Sequence, residues 1–166
     1  DNISTTHTVL MTFHKSEPHI LLSKECRGNC TKLSIPGTQK SDHDGTSWLR
    51  TGARAVWEIT GGNLSVATCE RIERGELLSP PHRVPNTNAA IITHAIREPV
   101  DFDLDGRYFK GVSKGRVSTH KGVEWIKVSQ VADDAWRRQT MHWQSACTIE
   151  HVLRVITAAH ATSFSN

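Results

Sequence analysis

The sequence predicts an α+β domain, an α/β/α sandwich in which one mixed sheet lies between helices. Apolar segments of strand length dominate the first 35 residues, an amphipathic helix follows, and further strands and a closing helix complete the chain. This succession of elements is typical of a sheet that carries helices on its faces. The length of 166 residues suits a single domain over residues 1–166.

Short apolar segments bounded by turn residues predict the strands of this sheet. The first two, residues 8–13 and 19–23, are separated by a turn at residues 15–18 and form a predicted hairpin. A third strand ends at Pro36-Gly37, and a polar loop follows it. The remaining predicted strands are residues 64–69, 88–97 and 122–128, with a proline-rich loop at residues 75–85.

The strongest helical pattern covers residues 46–60. Thr46 or Ser47 can cap its start, and Gly61-Gly62 ends it. One face is expected to pack on the sheet, because its apolar residues recur at three- and four-residue intervals; they are Trp48, Leu49, Ala53, Val56 and Trp57. A short helix is predicted at residues 129–135, and an amphipathic closing helix at residues 148–161.

Composition and charge exclude several classes of protein. The chain has 37% hydrophobic and 22% charged residues, and no apolar stretch approaches the roughly 20 residues of a membrane span. A net charge of +3 mildly favours polyanionic partners. Because the chain begins with Asp1 rather than Met, we expect a processed or truncated start. We therefore expect a mitochondrial location, with a cytoplasmic or nuclear one as the alternative.

The cysteines do not predict a disulfide scaffold. Cys26 and Cys30 form the single C-x3-C pair of the sequence, whereas a structural zinc site usually has two such pairs. Free thiols are the favoured state, ahead of a disulfide and of a zinc site.

One segment goes beyond a generic succession of elements. Ile35-Pro-Gly37 is followed by a polar loop, by Asp44-Gly-Thr-Ser47 and by Ala53-Arg-Ala-Val-Trp-Glu-Ile-Thr-Gly61. This segment resembles the Nudix box, G-x5-E-x7-R-E-U-x-E-E-x-G-U with U apolar, of hydrolases that cleave nucleoside diphosphates linked to another group. The strands around it, and Trp125 ahead of a short helix, are also similar to the family. The resemblance implies a Nudix-like mixed sheet between helices, and a loop–helix–loop that binds divalent metal against a diphosphate.

Three of the four carboxylates of that box are absent. When Arg54 is aligned with the arginine of the motif, Ala55 and Ile59 stand where two of its glutamates would be, and Thr46 stands where the early one would be. Glu58 matches the remaining glutamate. Positions 55, 58 and 59 share one helix face, so an active relative would surround its metal with carboxylates there.

The loss of these carboxylates leads us to expect no Mg²⁺ or Mn²⁺ cofactor. An i, i+4 salt bridge between Glu58 and Arg54 is the favoured role of these two remnants. The alternative is a metal site that Glu58 rebuilds together with Asp42 and Asp44 of the preceding loop.

The resemblance implies a choice between two functions. The first is a catalytically silent domain that acts as an RNA-binding or scaffold subunit of a ribonucleoprotein or RNA-processing complex. Nudix-like proteins with eroded boxes occur in the mitochondrial large ribosomal subunit and in a pre-mRNA 3′-end cleavage factor. The alternative is an active metal-dependent pyrophosphohydrolase that cleaves a capped RNA end or a dinucleotide polyphosphate. A third hypothesis, an unrelated α/β domain with a coincidental motif, depends on the fold.

Basic residues in the second half of the chain are candidate contacts for RNA phosphates. A solvated hairpin and an ordinary surface helix are the alternatives, and the tryptophans Trp136 and Trp143 beside them suit a protein interface as well as base stacking. The predicted phosphate-binding residues are Lys110, Lys114, Arg116, Lys121, Arg137 and Arg138.

Overall fold

The computed structural model describes residues 3–62, 64–97 and 120–158. Lys110, Lys114 and Arg116, which we predict to contact RNA, lie outside the described residues. Among the described residues, no helix has the length and apolar content that a membrane span requires.

Seven strands form one mixed sheet within the described residues. They are β1 (Thr5–His14), β2 (Glu17–Arg27), β3 (Cys30–Ser34), β4 (Gly37–Gln39), β5 (His82–Arg83), β6 (Ala89–Ala95) and β7 (His120–Lys127). The order is β3-β2-β1-β6-β5, with β4 paired to β1 and β7 paired to β2. The β1–β6 pair is parallel and the other pairs are antiparallel. The predicted hairpin is the β1–β2 pair, joined by a tight turn at Lys15 and Ser16.

Helices cover both faces of this sheet. They are α1 (Trp48–Ile59), α2 (Val66–Glu73), α3 (Val128–Val131), α4 (Asp134–Thr140) and α5 (Trp143–Ile149). On β1, Leu10 packs in the core cluster of α1, whereas Val9 and Met11 pack in the cluster of α5. Successive strand residues point to opposite faces, so one strand supplies both cores. The predicted α/β/α sandwich is therefore confirmed.

Helix α1 forms where the sequence predicts it. Ser47 caps it, because its side chain accepts a hydrogen bond from the Arg50 amide, and the helix ends at Ile59. The prediction that Trp57 packs in the core is wrong, since 47% of this residue is exposed. Each residue turns the helix by about 100°, so a buried face centred on Gly52, Val56 and Ile59 leaves Trp57 beyond its edge.

Two other predicted segments have different structures. Residues 64–69 are not a strand: Ser65 accepts a hydrogen bond from the Thr68 amide and caps helix α2. The closing helix begins five residues earlier than predicted, as α5 at Trp143, and a turn at residues 150–152 separates it from helical residues 153–158. In the first case, the alternation of apolar residues does not reveal the cap of α2. In the second, the continuous helical period does not reveal the turn at residues 150–152.

The C-x3-C pair does not form a joint site. In the β2–β3 register, Cys26 pairs with Thr31 and Arg27 pairs with Cys30. Directly opposed residues share a face and neighbours along a strand alternate, so the two cysteine side chains lie on opposite faces. Both are free thiols, as are Cys69 and Cys147.

The contact between α1 and the sheet depends on the absence of a side chain at Gly52. A Cβ there would lie 2.5 Å from Ile92 Cδ1 and 2.9 Å from Thr8 Oγ1. The Thr8 hydroxyl donates a hydrogen bond of 2.9 Å to the Gly52 carbonyl. The helix therefore rests directly on β1 and β6.

We expect Gly52→Ala to lower the free energy of unfolding by about 1–3 kcal/mol, because the new methyl group overpacks the core. Helix propensity alone would predict a gain of about 1 kcal/mol for this change. Urea denaturation followed by circular dichroism measures whether the free energy of unfolding falls or rises. A stabilised variant would show that the helix does not approach the sheet this closely.

Candidate functional site

The guanidinium of Arg54 organises the segment that resembles the Nudix box. Its Nε and Nη2 donate to the two carboxylate oxygens of Asp44 at 3.2 and 2.9 Å, and its Nη1 donates to Glu58 Oε1 at 2.9 Å. Nη2 also donates to the Gln39 carbonyl at 2.6 Å. One side chain of α1 thereby joins the loop that precedes the helix to the helix itself. The predicted pairing of Glu58 with Arg54 is present.

Asp44 is an interior anchor of this loop. Its side chain is 5% exposed, and its Oδ2 accepts hydrogen bonds from the Thr51 hydroxyl and the Ser41 amide, both at 2.9 Å. Burial by itself would raise the pKa of Asp44, but these hydrogen bonds and the neighbouring Arg54 charge outweigh burial. The pKa of Asp44 therefore lies well below its usual value, and the carboxylate stays ionised.

The positions of the missing glutamates belong to the core. Ala55 and Ile59 are fully buried, and Ile59 packs in the cluster between α1 and the sheet. Asp42 is exposed on the single-turn 3-10 helix before α1, and it is not among the partners of Arg54. The structure thus brings Asp44 and Glu58 together around a cation of the protein, and leaves Asp42 apart. In residues 3–62, 64–97 and 120–158, no group of three or more His, Cys, Asp or Glu side chains is arranged to hold a metal ion.

A cleft of about 320 Å³ lies on the opposite face of the sheet, between β1, β3 and α5. Its polar lining includes one acidic and one basic residue, and consists of His7, Glu25, Arg27, Ser34, Gln144 and Ser145. The Ser34 hydroxyl is buried and has no hydrogen-bond partner among the described residues. Ser145 instead accepts a hydrogen bond from the Ile35 amide at 3.0 Å. An unsatisfied buried hydroxyl in a polar cleft is a candidate contact for a ligand.

His7 is held neutral at the wall of this cleft. Burial is the main cause that lowers the pKa of His7, the charge of Arg27 lowers it further, and a hydrogen bond to the Ile35 backbone partly opposes both. A Cβ at Gly37 would overlap the His7 ring, so only glycine fits beside it. A neutral imidazole can donate with one nitrogen and accept with the other. Sequence reasoning missed this cleft because its residues come from both ends of the chain.

The predicted RNA contacts that the structure describes fall into two groups. Lys121 is exposed on β7, and Arg138 is 71% exposed while its guanidinium pairs with Asp134 at 3.0 Å. The prediction for Arg137 is wrong, because its side chain is 6% exposed. It donates to the Val131 carbonyl and pairs with Asp134 and Glu150, so it stabilises the fold and cannot reach a phosphate.

The two tryptophans near these arginines have different environments. Trp136 is half-buried and packs against the core beneath α4. Trp143 begins α5 and is 74% exposed. Of this pair, Trp143 is the one that a partner can reach.

Comparison with known proteins identifies the fold. No model of a protein family matches the sequence, and no curated protein matches it. Among solved structures, the chain is similar to the Nudix hydrolase RenU of M. smegmatis, with a TM-score of 0.56 and 13% identity over 95% of this chain and 88% of that one. It is also similar to a Nudix hydrolase from Nitrosomonas europaea (TM-score 0.52, 17% identity, 96% and 90% covered). A third similar structure is a C. elegans Ap4A hydrolase (TM-score 0.51, 11% identity, 96% and 98% covered).

The chain therefore has the fold of the Nudix hydrolases, as the resemblance of residues 35–61 implies. At these identities the likeness concerns the fold alone. The hypothesis of an unrelated α/β domain is excluded by it.

We expect Asp44→Asn to lower the free energy of unfolding by about 2–3 kcal/mol at neutral pH, because the buried carboxylate loses its charge and the half-buried Arg54 loses its anionic partner. The lowered pKa in the folded protein fixes the sign of the pH dependence. The contribution of ionised Asp44 is complete above the ordinary carboxyl pKa of 3.8 and is lost as the pH falls toward the folded-state value. The difference in the free energy of unfolding between wild type and Asp44→Asn should be constant from about pH 7 to 5. It should become smaller below about pH 4, where the carboxylate begins to be protonated in the unfolded chain.

Asp42→Asn is the matched control for this measurement, because Asp42 is exposed in the same loop. It should change stability by less than about 0.5 kcal/mol. Equal effects of the two substitutions would contradict an anchoring role for Asp44.

Proposed function

We propose that this Nudix-fold domain binds rather than hydrolyses, and that it serves as an RNA-binding or scaffold subunit of a larger complex. The observation that carries the proposal is that Arg54 engages Glu58, the one remaining carboxylate of the box, together with Asp44 of the preceding loop. A metal-dependent hydrolase needs open carboxylates, since the ion must polarise a phosphoryl oxygen or generate the attacking hydroxide.

The charge balance at Arg54 supports this proposal. Asp44 contributes both of its oxygens to contacts within the protein, and Glu58 contributes Oε1. A divalent cation would have to displace the guanidinium or share the carboxylates with it, against direct charge repulsion. Magnesium sheds water reluctantly and requires near-ideal octahedral geometry, which makes this competition unfavourable.

The cleft and the nearby β2–β3 hairpin are the surface that RNA would contact. Arg27 lines the cleft at the end of β2. The β2–β7 register shifts between Lys24 and Glu25, so Lys121 falls outside the regular pairing beside this end of the sheet. Lys24 and Lys32 flank the same strand ends. Glu25 also lines the cleft, so the positive charge that suits a phosphate chain comes from Arg27 together with the neighbouring lysines. The net charge of +3 agrees with a polyanionic partner.

We expect the domain to bind single-stranded RNA with an affinity that falls as salt rises, because contacted phosphates release counterions. Arg27→Glu and Lys121→Glu should each weaken binding about three- to tenfold and reduce the salt slope by about one. Fluorescence anisotropy with a labelled oligonucleotide, at salt concentrations from about 50 to 200 mM, measures both quantities.

Arg154→Glu is the control for that experiment, since Arg154 is exposed on helical residues 153–158 and changes the net charge equally. If the wild-type domain shows no binding at about 50 mM salt, the RNA version of the proposal fails and a protein-only scaffold replaces it.

We expect no tight binding of Mg²⁺ or Mn²⁺, because Arg54 occupies the carboxylates that a metal would need. Isothermal titration calorimetry with and without nucleotide tests this. A dissociation constant of about 10 µM or below would favour the alternative, an active hydrolase. Diphosphate hydrolysis that disappears in Glu58→Gln would favour it too.

The mitochondrial location is a separate proposal, which cell fractionation tests.

A further inference from the structure

A groove between α1 and α2 lies on the face of the sheet opposite the cleft. It has a volume of about 490 Å³, and the same spacing of residues lines it from both helices. Positions 50, 53, 54 and 57 of α1 face positions 66, 69, 70 and 73 of α2. Spacings of three, four and seven residues place side chains on one stripe of a helix, so each helix presents one continuous stripe to this groove.

The groove concentrates exposed apolar surface. Four large apolar side chains are exposed among the described residues, and two of them, Trp57 and Val66, line it. Val66 is 68% exposed. Ala53 and Cys69 form the apolar floor between them. Burial raises the pKa of the Cys69 thiol to about 11, with the charge of Glu73 adding to the effect, so the floor is uncharged at neutral pH.

The two ends of the groove differ in character. Helices α1 and α2 are joined by a short connection and run in opposite directions, since Leu49 Cδ1 at the start of α1 would lie 3.7 Å from a Cβ on Gly75, just beyond α2. Trp57 and Val66 therefore share one end of the groove. Arg50 and Glu73 share the other, and neither forms an ion pair within the part of the chain that the structure describes.

We propose that this groove is a homodimer interface, in which the α1–α2 pairs of two copies pack face to face. A two-fold axis parallel to the helices places α1 of each copy over α2 of the other. This rotation brings α1 of one copy opposite α2 of the other, and it brings the same end of the two grooves together. Arg50 then faces Glu73 of the second copy, and Trp57 faces Val66 of the second copy. A two-fold interface must be self-complementary, and this face meets the requirement in both charge and polarity.

The size of the α1–α2 surface determines the expected affinity of the dimer. Helices of twelve and eight residues present less than the roughly 800 Å² per partner of a standard interface, and charged residues occupy half of the lining. We expect a reversible dimer with a dissociation constant of about 10–500 µM. An aromatic side chain at the rim of an apolar floor is the type of residue that contributes most to such contacts.

Charge exchange between copies tests the arrangement. Sedimentation velocity of the full chain, without RNA, should show a monomer–dimer equilibrium between about 5 and 500 µM protein at about 50 mM salt. Arg50→Glu and Glu73→Arg should each raise the dissociation constant about tenfold, because each creates two like-charge contacts. An equimolar mixture of the two variants should restore association to within about threefold, since every contact in the mixed dimer is again between opposite charges.

Arg154→Glu is the control, because it changes the net charge as Arg50→Glu does but lies on helical residues 153–158. A wild-type chain that stays monomeric throughout, or a mixture as weak as its components, would overturn the proposal. So would a dimer that neither charge variant affects, because its interface would lie elsewhere. Trp57→Ala should weaken the dimer with intact circular dichroism, since Trp57 lies outside the core. None of these outcomes depends on whether the domain binds RNA.

Discussion

The ion pair between Arg54 and Asp44 is the constraint on which the functional interpretation of this fold depends. The guanidinium makes two hydrogen bonds to the carboxylate and a third to Glu58, so it fixes the approach of the loop to helix α1. A bidentate arginine–carboxylate pair is directional as well as charged. A cation that belongs to the chain therefore does what a bound metal does in a carboxylate site: it neutralises the acidic groups and holds them in one geometry.

Helix α1 connects this network to the rest of the fold. Its inner face is built from small residues where it meets β1, and Gly52 allows the backbone to rest against Thr8 and Ile92. Ala55 and Ile59 extend the apolar contact over positions where the Nudix motif has acids. The apolar side chains at these two positions thus add to the hydrophobic contact of the helix. Burial of a side chain of the size of Ile59 stabilises the fold by about 1.5–3 kcal/mol. Burial of an unpaired carboxylate at the same position would destabilise it.

Local signals made part of this structure predictable. Helix α1 follows from its period, its Ser47 cap and the glycines after it, and the β1–β2 hairpin follows from two apolar segments around a turn. Features that depend on distant partners were not accessible. Arg137 is buried and pairs with Glu150, thirteen residues later, and nothing in the segment from Trp136 to Trp143 indicates this. The cleft is similar: Ile35 and Ser145 meet across 110 residues, a contact that only the fold creates. The hydrogen bonds of Asp44 are a further example, because the orientation of a carboxylate depends on which donors the fold brings around it.

The two candidate surfaces lie on opposite faces of the sheet and differ in charge. The α1–α2 groove is bordered by Glu70 and Glu73, with Arg50 as its unpaired cation within the described residues. The cleft is lined by Glu25 and Arg27, and Lys32 and Lys121 lie on the neighbouring strands β3 and β7. If the domain binds RNA as proposed, the acidic border of the groove disfavours a polyanion there, and the basic residues near the cleft favour one. The groove then stays open to a second copy, and a dimer formed through it would present two RNA-binding faces that point away from each other. In such a dimer, a weak interaction of each domain with RNA would gain from two-site attachment to a single strand, provided that the strand is long enough to reach both clefts.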